Sequence, residues 1–183
     1  IQTKGKNYIA QNWNINKFTK NKYKDLKLNE NPQPIIDQRE YKISPIIIDN
    51  NEKKSDILVF FENELDFQSF KIDSYKKIYC ILLSNEERQV ELGDKVLTYK
   101  KNLIKNQVQN SDLKIEFIEG NKFIELSNSK KSFDVIYPCV GENMFFLKKV
   151  IKKNNLMINY LVRDEDKYCW QFSNKGYFNF KSN

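Results

Sequence analysis

The chain predicts an α/β fold: a mostly parallel sheet covered by helices on both faces, preceded by an irregular basic extension. Three observations predict it. Short apolar runs begin near residues 57, 78, 114, 133 and 156. Stretches of helical length separate them, the pattern of βαβ units. The runs are continuous rather than alternating, as strands buried on both faces require. Residues 1–45 do not join this alternation and read as a basic extension and linker, with residues 46–183 as the α/β domain.

The first 24 residues contain six lysines and no acid. Their aromatics, Tyr8, Trp13, Phe18 and Tyr23, fall five apart, which matches neither a helix face nor a strand face. The spacing predicts an arm rather than a folded element. Residues 29–45 hold three of the four prolines and read as a linker. PIIID (45–49) reads as a short strand running into a turn.

DILVFF (56–61) predicts the first buried strand, and the following ENELDFQSFKIDSYKK a short helix. IYCILL (78–83) predicts the second strand. Ser84 and Glu87 make an S-x-x-E capping box that predicts a helix over 85–108. Val90, Leu97, Ile104 and Val108 would form its apolar stripe, with Leu92, Val96, Tyr99 and Leu103 beside it. KIEFI (114–118) predicts a third strand, FDVIY (133–137) a fourth and LMINYLV (156–162) a fifth. GENMFFLKKVIKKNN supplies a helix before the fifth, with lysine pairs near its C-terminus, where the helix dipole favours them. RDEDKYCWQFSNKGYFNF predicts a helical turn, a glycine stop and a short final strand.

Composition removes many chemistries. There are 183 residues and no histidine. That excludes Ser-His-Asp and Cys-His machinery, HExxH zinc sites and any imidazole acid or base. Five glycines form neither GxGxxG nor GxxxxGK[ST], so neither common phosphate loop is present. No apolar run approaches the roughly 18–20 residues that span a bilayer. Cys80, Cys139 and Cys169 form no CxxC. They read as free thilos of a reducing, intracellular compartment, and no metal site is expected. The formal charge is +7, and residues 1–27 alone hold seven lysines against one aspartate. On this count the basicity belongs to the arm.

Residues 56–183 resemble the class I, seven-strand fold of methyltransferases that use S-adenosylmethionine. KKIYCILLSNEERQVELGDKVLTYKKNLIKN is similar to the second strand of that family and its long following helix. LKIEFIEGNKFIEL is similar to the third strand and the loop after it. KSFDVIYPCVGENMFFLKKVIKKNNLMINYLVRDEDKYCWQFSNKGYFNF resembles the closing section, and its pattern is most like the lysine-methylating branch.

The resemblance implies cofactor-binding positions at Glu62, Glu64, Asn85 and Asn121, and here the chain departs from the family. The family's glycine-rich loop after the first strand is matched by LVFFENELDFQSF, which has no glycine. Glu62, Glu64 and Asp66 would stand where the cofactor's carboxylate and ribose pack. An acid beside that carboxylate is repulsive by about 1–4 kcal/mol. Ser84 and Asn85 replace the acid that binds the ribose, and Gly120-Asn121 replaces a Gly-Asp pair at the adenine. Pro138-Cys139-Val140-Gly141 offers no evident base after the fourth strand, so no catalytic residue is assigned. The resemblance therefore implies a non-catalytic subunit, without cofactor, that scaffolds or positions a partner in a multi-subunit complex. An active small methyltransferase using S-adenosylmethionine is the alternative.

A third reading is a nucleic-acid-binding accessory protein. Lys4, Lys6, Tyr8, Trp13, Lys17, Phe18, Lys20, Lys22, Tyr23 and Lys24 would form the arm, lysines neutralising phosphates and aromatics stacking on unpaired bases. The same composition suits a solvated or partner-docked tail. Lys148-Lys149 and Lys152-Lys153 read as the solvent face of their helix. Asp164-Glu165-Asp166 reads as an acidic first helical turn. Trp170, Phe172, Tyr177, Phe178 and Phe180 read as packing on the sheet edge or as a subunit interface.

Overall fold

The computed structural model describes residues 10–25, 52–64, 66–109, 114–172 and 181. Two units are distinguished, Ile1–Pro45 and Ile46–Asn183, and each is described by itself.

In the first unit, α1 spans Asn12–Phe18. It corrects the expectation of an arm without folded elements. The five-residue aromatic spacing misses the helix because the aromatics do not define its face: Trp13 and Phe18 are 64% and 78% exposed. Local polar bonds hold the helix instead. Gln11 N donates to Asn14 Oδ1 at 2.9 Å, and Thr19 Oγ1 donates to the Ile15 carbonyl at 2.7 Å. Lys17, Lys20, Lys22, Tyr23 and Lys24 are exposed. Lys4, Lys6 and Tyr8 lie outside the described residues, as do the strand expected at 45–49 and the final strand with Tyr177, Phe178 and Phe180.

The second unit is built on one sheet of β1 (Ile57–Phe61), β2 (Lys77–Leu82), β3 (Ile115–Glu119), β4 (Ser132–Ile136) and β5 (Met157–Leu161). Its order is β3-β2-β1-β4-β5, and every pairing is parallel. All five strands coincide with the apolar runs to within one residue at each end. The reason for continuous runs is visible in β1. Val59 and Phe61 face one core, with Phe123, Phe133, Phe146 and Leu147. Leu58 and Phe60 face the other, with Phe67, Ile72, Ile78 and Ile104. Each such side chain contributes about 1.5–3 kcal/mol on burial.

The helices are α2 (Asp94–Gln109), α3 (Gly120–Ser129), α4 (Glu142–Asn154) and α5 (Asp164–Trp170). Three differ from expectation. The segment after β1 forms two 3₁₀ turns, Phe67–Ser69 and Ile72–Ser74, anchored by buried Phe67 and Ile72. The helix expected from residue 85 starts at Asp94. The Ser84–Glu87 pair exists, but it closes a turn: Glu87 Oε2 accepts from Ser84 N and Ser84 Oγ, each at 2.6 Å. Asn85 then pairs with the Leu92 backbone, so 84–92 is a closed loop and Val90 is left 67% exposed. Lastly, α3 occupies what the resemblance gives as a loop, because Phe123 and Ser127 recur one turn apart on its buried side.

Between β4 and α4 the chain reverses sharply. Cys139 has φ 59° and Gly141, the residue before α4, has φ 117°, a value that side chains disfavour. Among the described residues, no helix is long and apolar enough to cross a membrane.

Candidate functional site at the carboxyl edge of the sheet

In an open parallel sheet, ligands bind outside the carboxyl ends of the strands where the order reverses. That point lies between β1 and β4. Glu62 follows β1 directly, and its N–H extends the ladder by donating to the Ile81 carbonyl at 3.0 Å. Its carboxylate turns inward and is fully engaged. Oε1 lies 2.5 Å from Arg88 Nη2 and 3.0 Å from Lys100 Nζ, while Oε2 accepts from Leu83 N at 2.9 Å. Arg88 also donates to the Leu83 carbonyl, from Nε at 3.2 Å and Nη2 at 3.0 Å. The side chains of Glu62 and Arg88 are 1% and 4% exposed. One carboxylate and two cations thus tie the end of β1 to the end of β2 and to α2.

A second ion cluster stands beside it. Arg163, which precedes α5, pairs with Glu64 Oε1 at 2.7 Å and with Asp166 Oδ2 at 3.0 Å. Its bond to Glu64, foremost, holds its pKa above the ordinary value. Tyr137 stacks edge-on against both Tyr160 and Trp170. The cavity lined by Glu64, Tyr137, Cys139, Arg163, Asp166 and Trp170 holds only about 10 Å³, no more than one water needs. A wider cleft of about 250 Å³ opens at the ends of β2 and β3, lined in part by Ser84, Asp94, Leu97, Lys101 and Glu119.

The residues named from the sequence separate into distinct roles. Glu62 and Glu64 stand at the switch point, but neither is the unpaired acid that the resemblance suggests; each holds a cation. Asn85 Nδ2 donates to the Leu92 carbonyl and Oδ1 accepts from Leu92 N, both at 2.9 Å, so its amide is occupied by its own loop. Asn121 lies exposed in the first turn of α3, where Oδ1 accepts from Lys122 N at 2.6 Å. Lys17 and Phe18 belong to the other unit.

Sequence reasoning missed Arg88, Lys100 and Arg163. A signal existed. The chain has three arginines, Arg39, Arg88 and Arg163, among 31 basic residues. Where lysine is the default cation, a retained arginine marks a need for its planar, several-pronged donor set. Two of the three take that part here.

The arrangement offers little chemistry. The Cys139 thiol is pushed above its ordinary value, by burial first and then by Asp166 and Glu64, so it is a poor nucleophile. No group of His, Cys, Asp and Glu suited to a metal occurs among the described residues. Comparisons of the chain with protein-family models, with curated proteins and with solved structures find no match. The class defined on these grounds is a Rossmann-like α/β domain with an internally neutralised switch point.

Proposed function

We propose that residues 46–183 act as a non-catalytic module of methyltransferase-like pattern that scaffolds or positions a protein partner in a multi-subunit assembly. The observation that carries this reading is the Glu62–Arg88–Lys100 cluster in the crevice where a cofactor would be expected. S-adenosylmethionine does not suit these residues. Its carboxylate and ribose would have to displace Arg88 from Glu62, leaving that carboxylate with Lys100 and one peptide N–H, and a lost hydrogen bond to a charged group costs about 1.5–3 kcal/mol. At 1.4 kcal/mol per tenfold, that weakens binding by roughly one to two decades.

Exposed apolar groups near the same edge support a protein partner. Gln89 N donates to Glu142 Oε2 at 2.8 Å, which brings the 84–92 loop to the start of α4. Around that bond Val90, Val140 and Phe145 are 67%, 85% and 48% exposed. The open cleft at Ser84 and Glu119 favours the second reading, an active methyltransferase that retains an adenosine site. Thermal melting with S-adenosylmethionine up to millimolar concentration separates the two. The scaffold reading expects no shift and a stoichiometric partner on mild purification; a saturable upward shift sinks it.

A further inference from the structure

Lysines stand at the start of every strand. Lys53 and Lys54 precede β1, Lys76 and Lys77 lead into β2, Lys114 precedes β3, Lys130 and Lys131 precede β4, and Lys152 and Lys153 close α4 before β5. Along the chain these are five scattered sites. Every strand pairing is parallel, so all five strands begin at one edge of the sheet and the lysines converge there. The order β3-β2-β1-β4-β5 sets the five sites in a row. Four steps of about 4.8 Å make the row about 19 Å long.

At the opposite edge Glu119 and Glu142 follow strands, while Glu62 is already paired with Arg88 and Lys100. Residues 46–183 hold 22 lysines and arginines against 20 acids, so the near-neutral sum conceals a cluster of lysines at one edge. The basicity is therefore not confined to the N-terminal residues, as a count along the chain suggests.

Some of the lysines are engaged internally. Lys53 and Lys76 pair with Asp56 at 3.3 and 2.7 Å. Lys131 donates to the carbonyls of Ser127 and Asn154 at 3.1 and 3.0 Å. The C-termini of α3 and α4 add about half a negative charge each. Lys54, whose amide donates to Asp134, is also engaged. Lys77, Lys114, Lys130, Lys152 and Lys153 remain. All five are exposed, and none forms an ion pair among the described residues. Lys148 and Lys149 lie exposed on the preceding turn of α4 and extend the patch. Like charges at i and i+4, as in Lys148 with Lys152 and Lys149 with Lys153, repel by about 0.2–0.5 kcal/mol per pair. A polyanion relieves that repulsion.

We infer that this amino edge is a docking surface for the phosphate backbone of duplex nucleic acid, engaged without base readout. A linear row of cations suits a linear polyanion: a duplex carries one charge per about 1.7 Å of axis, so about eleven charges run alongside 19 Å. Lysine supplies point charges rather than the bidentate fork that reads guanine edges, so contact is with phosphate. The edge also lacks a stacking platform. The exposed aromatics of this unit, Tyr99, Phe145, Tyr168 and Trp170, stand on α2, α4 and α5, which begin at the carboxyl edge, and no exposed aromatic lies among the lysines in the described residues. Paired strands therefore fit better than unpaired bases. This surface is separate from the switch point, and it does not depend on the scaffold reading.

The test is fluorescence anisotropy of the full chain with labelled 20-base-pair duplexes of two unrelated sequences, from 50 to 200 mM salt. Five lysine contacts give a slope of log K against log salt of about −4.5, a roughly 500-fold loss of affinity across that range. K130Q/K152Q/K153Q should cut the slope by about 2.7, leaving a roughly 12-fold loss. The same decrement should persist in a K17Q/K20Q/K22Q background, which separates the edge from the N-terminal lysines. The single variants K77Q and K152Q, each expected to remove about 0.9 from the slope, cover the case in which the triple variant fails to fold. No binding at 50 mM salt overturns the inference, as does a slope that the edge variants leave unchanged. It is equally overturned if a single strand or polyglutamate of matched charge competes as well as duplex.

Discussion

The Glu62 carboxylate and the Arg88 guanidinium meet at 2.5 Å, with 1% and 4% of their side chains exposed. They stand just past β1 and β2, beside the point between β1 and β4 where a parallel sheet of this order ordinarily receives a ligand. The protein has placed its own cation there. Arg88→Met should destabilise the domain by about 1.5–3 kcal/mol, because Glu62 loses a charged hydrogen bond and keeps only Lys100 and one peptide N–H. Glu62→Leu combined with Arg88→Met should cost less than the sum of the single changes, since either one alone already breaks the pair and Lys100, a quarter exposed, can turn to water. Urea unfolding of the three variants measures this, and additive single effects would refute the coupling.

Gly120 opens α3 at a close approach. A Cβ there would lie 2.9 Å from Glu87 Cδ, the carboxylate that closes the Ser84 turn. Gly120→Ala must therefore push Glu87 off Ser84, at an expected cost of about 1–2 kcal/mol for the lost charged hydrogen bonds. In a Glu87→Ala background the same change should be neutral or slightly stabilising, because alanine is the better helix former. A double-mutant cycle by thermal melting reads the difference; an equal cost in both backgrounds refutes the contact.

The strands were legible because burial on both faces demands unbroken apolar runs, and ILVFF and KIYCIL are of strand length and apolar almost throughout. The loops were less so. Ser84 and Glu87 satisfy a capping box and a closed turn equally well. What decides is Asn85 reaching Leu92, a contact that spacing does not reveal. The site was half legible: Glu62 and Glu64 were found by position, but their partners lie 26 and 99 residues away. Such pairings depend on the fold bringing β2 and β5 beside β1 and β4. The basic edge was hidden for the same reason, since five lysine sites become one surface only once every strand is known to run in parallel.

The three thiols should react in an order set by their surroundings. Cys139 is exposed, Cys169 half-buried and Cys80 buried in β2. Burial, then the charge of Glu62, pushes the Cys80 thiol far up. With an aromatic disulfide reagent at pH 8, Cys80 should stay unmodified until the protein unfolds, while Cys139 reacts first. Cys139 should still be slower than a free peptide thiol, since burial and two nearby acids raise it as well. Its rate should climb with pH later than that of a free thiol. Peptide mapping after timed quenching gives the order, and prompt labelling of Cys80 in the native protein would contradict it.

Tyr75 and Asp134 give the stability a dependence on alkaline pH. Asp134 is wholly buried in β4, and its carboxylate accepts from Tyr75 OH at 2.7 Å, Lys54 N at 2.9 Å and Asn159 Nδ2 at 3.0 Å. Burial, then the bond to Asp134, raises the Tyr75 hydroxyl well above the ordinary tyrosine range. In the unfolded chain Tyr75 loses its proton near pH 10, while in the folded protein it keeps it. The unfolded state then binds fewer protons, so stability is fully present below pH 10 and falls as pH rises beyond it. The expected slope from this one group is about 1.36 kcal/mol per pH unit. Tyr75→Phe should lose about 1.5–3 kcal/mol at pH 7, from the missing bond to a buried carboxylate. Above pH 10 its deficit against the parent should shrink, because the phenylalanine has no proton to lose. Urea midpoints at pH 7, 10 and 11 test the sign, and absorbance at 295 nm follows the tyrosines directly. A deficit that stays constant with pH would show that Tyr75 ionises as readily in the folded protein as in the unfolded chain, and one that grows would show that it ionises more readily; either refutes the hold by Asp134.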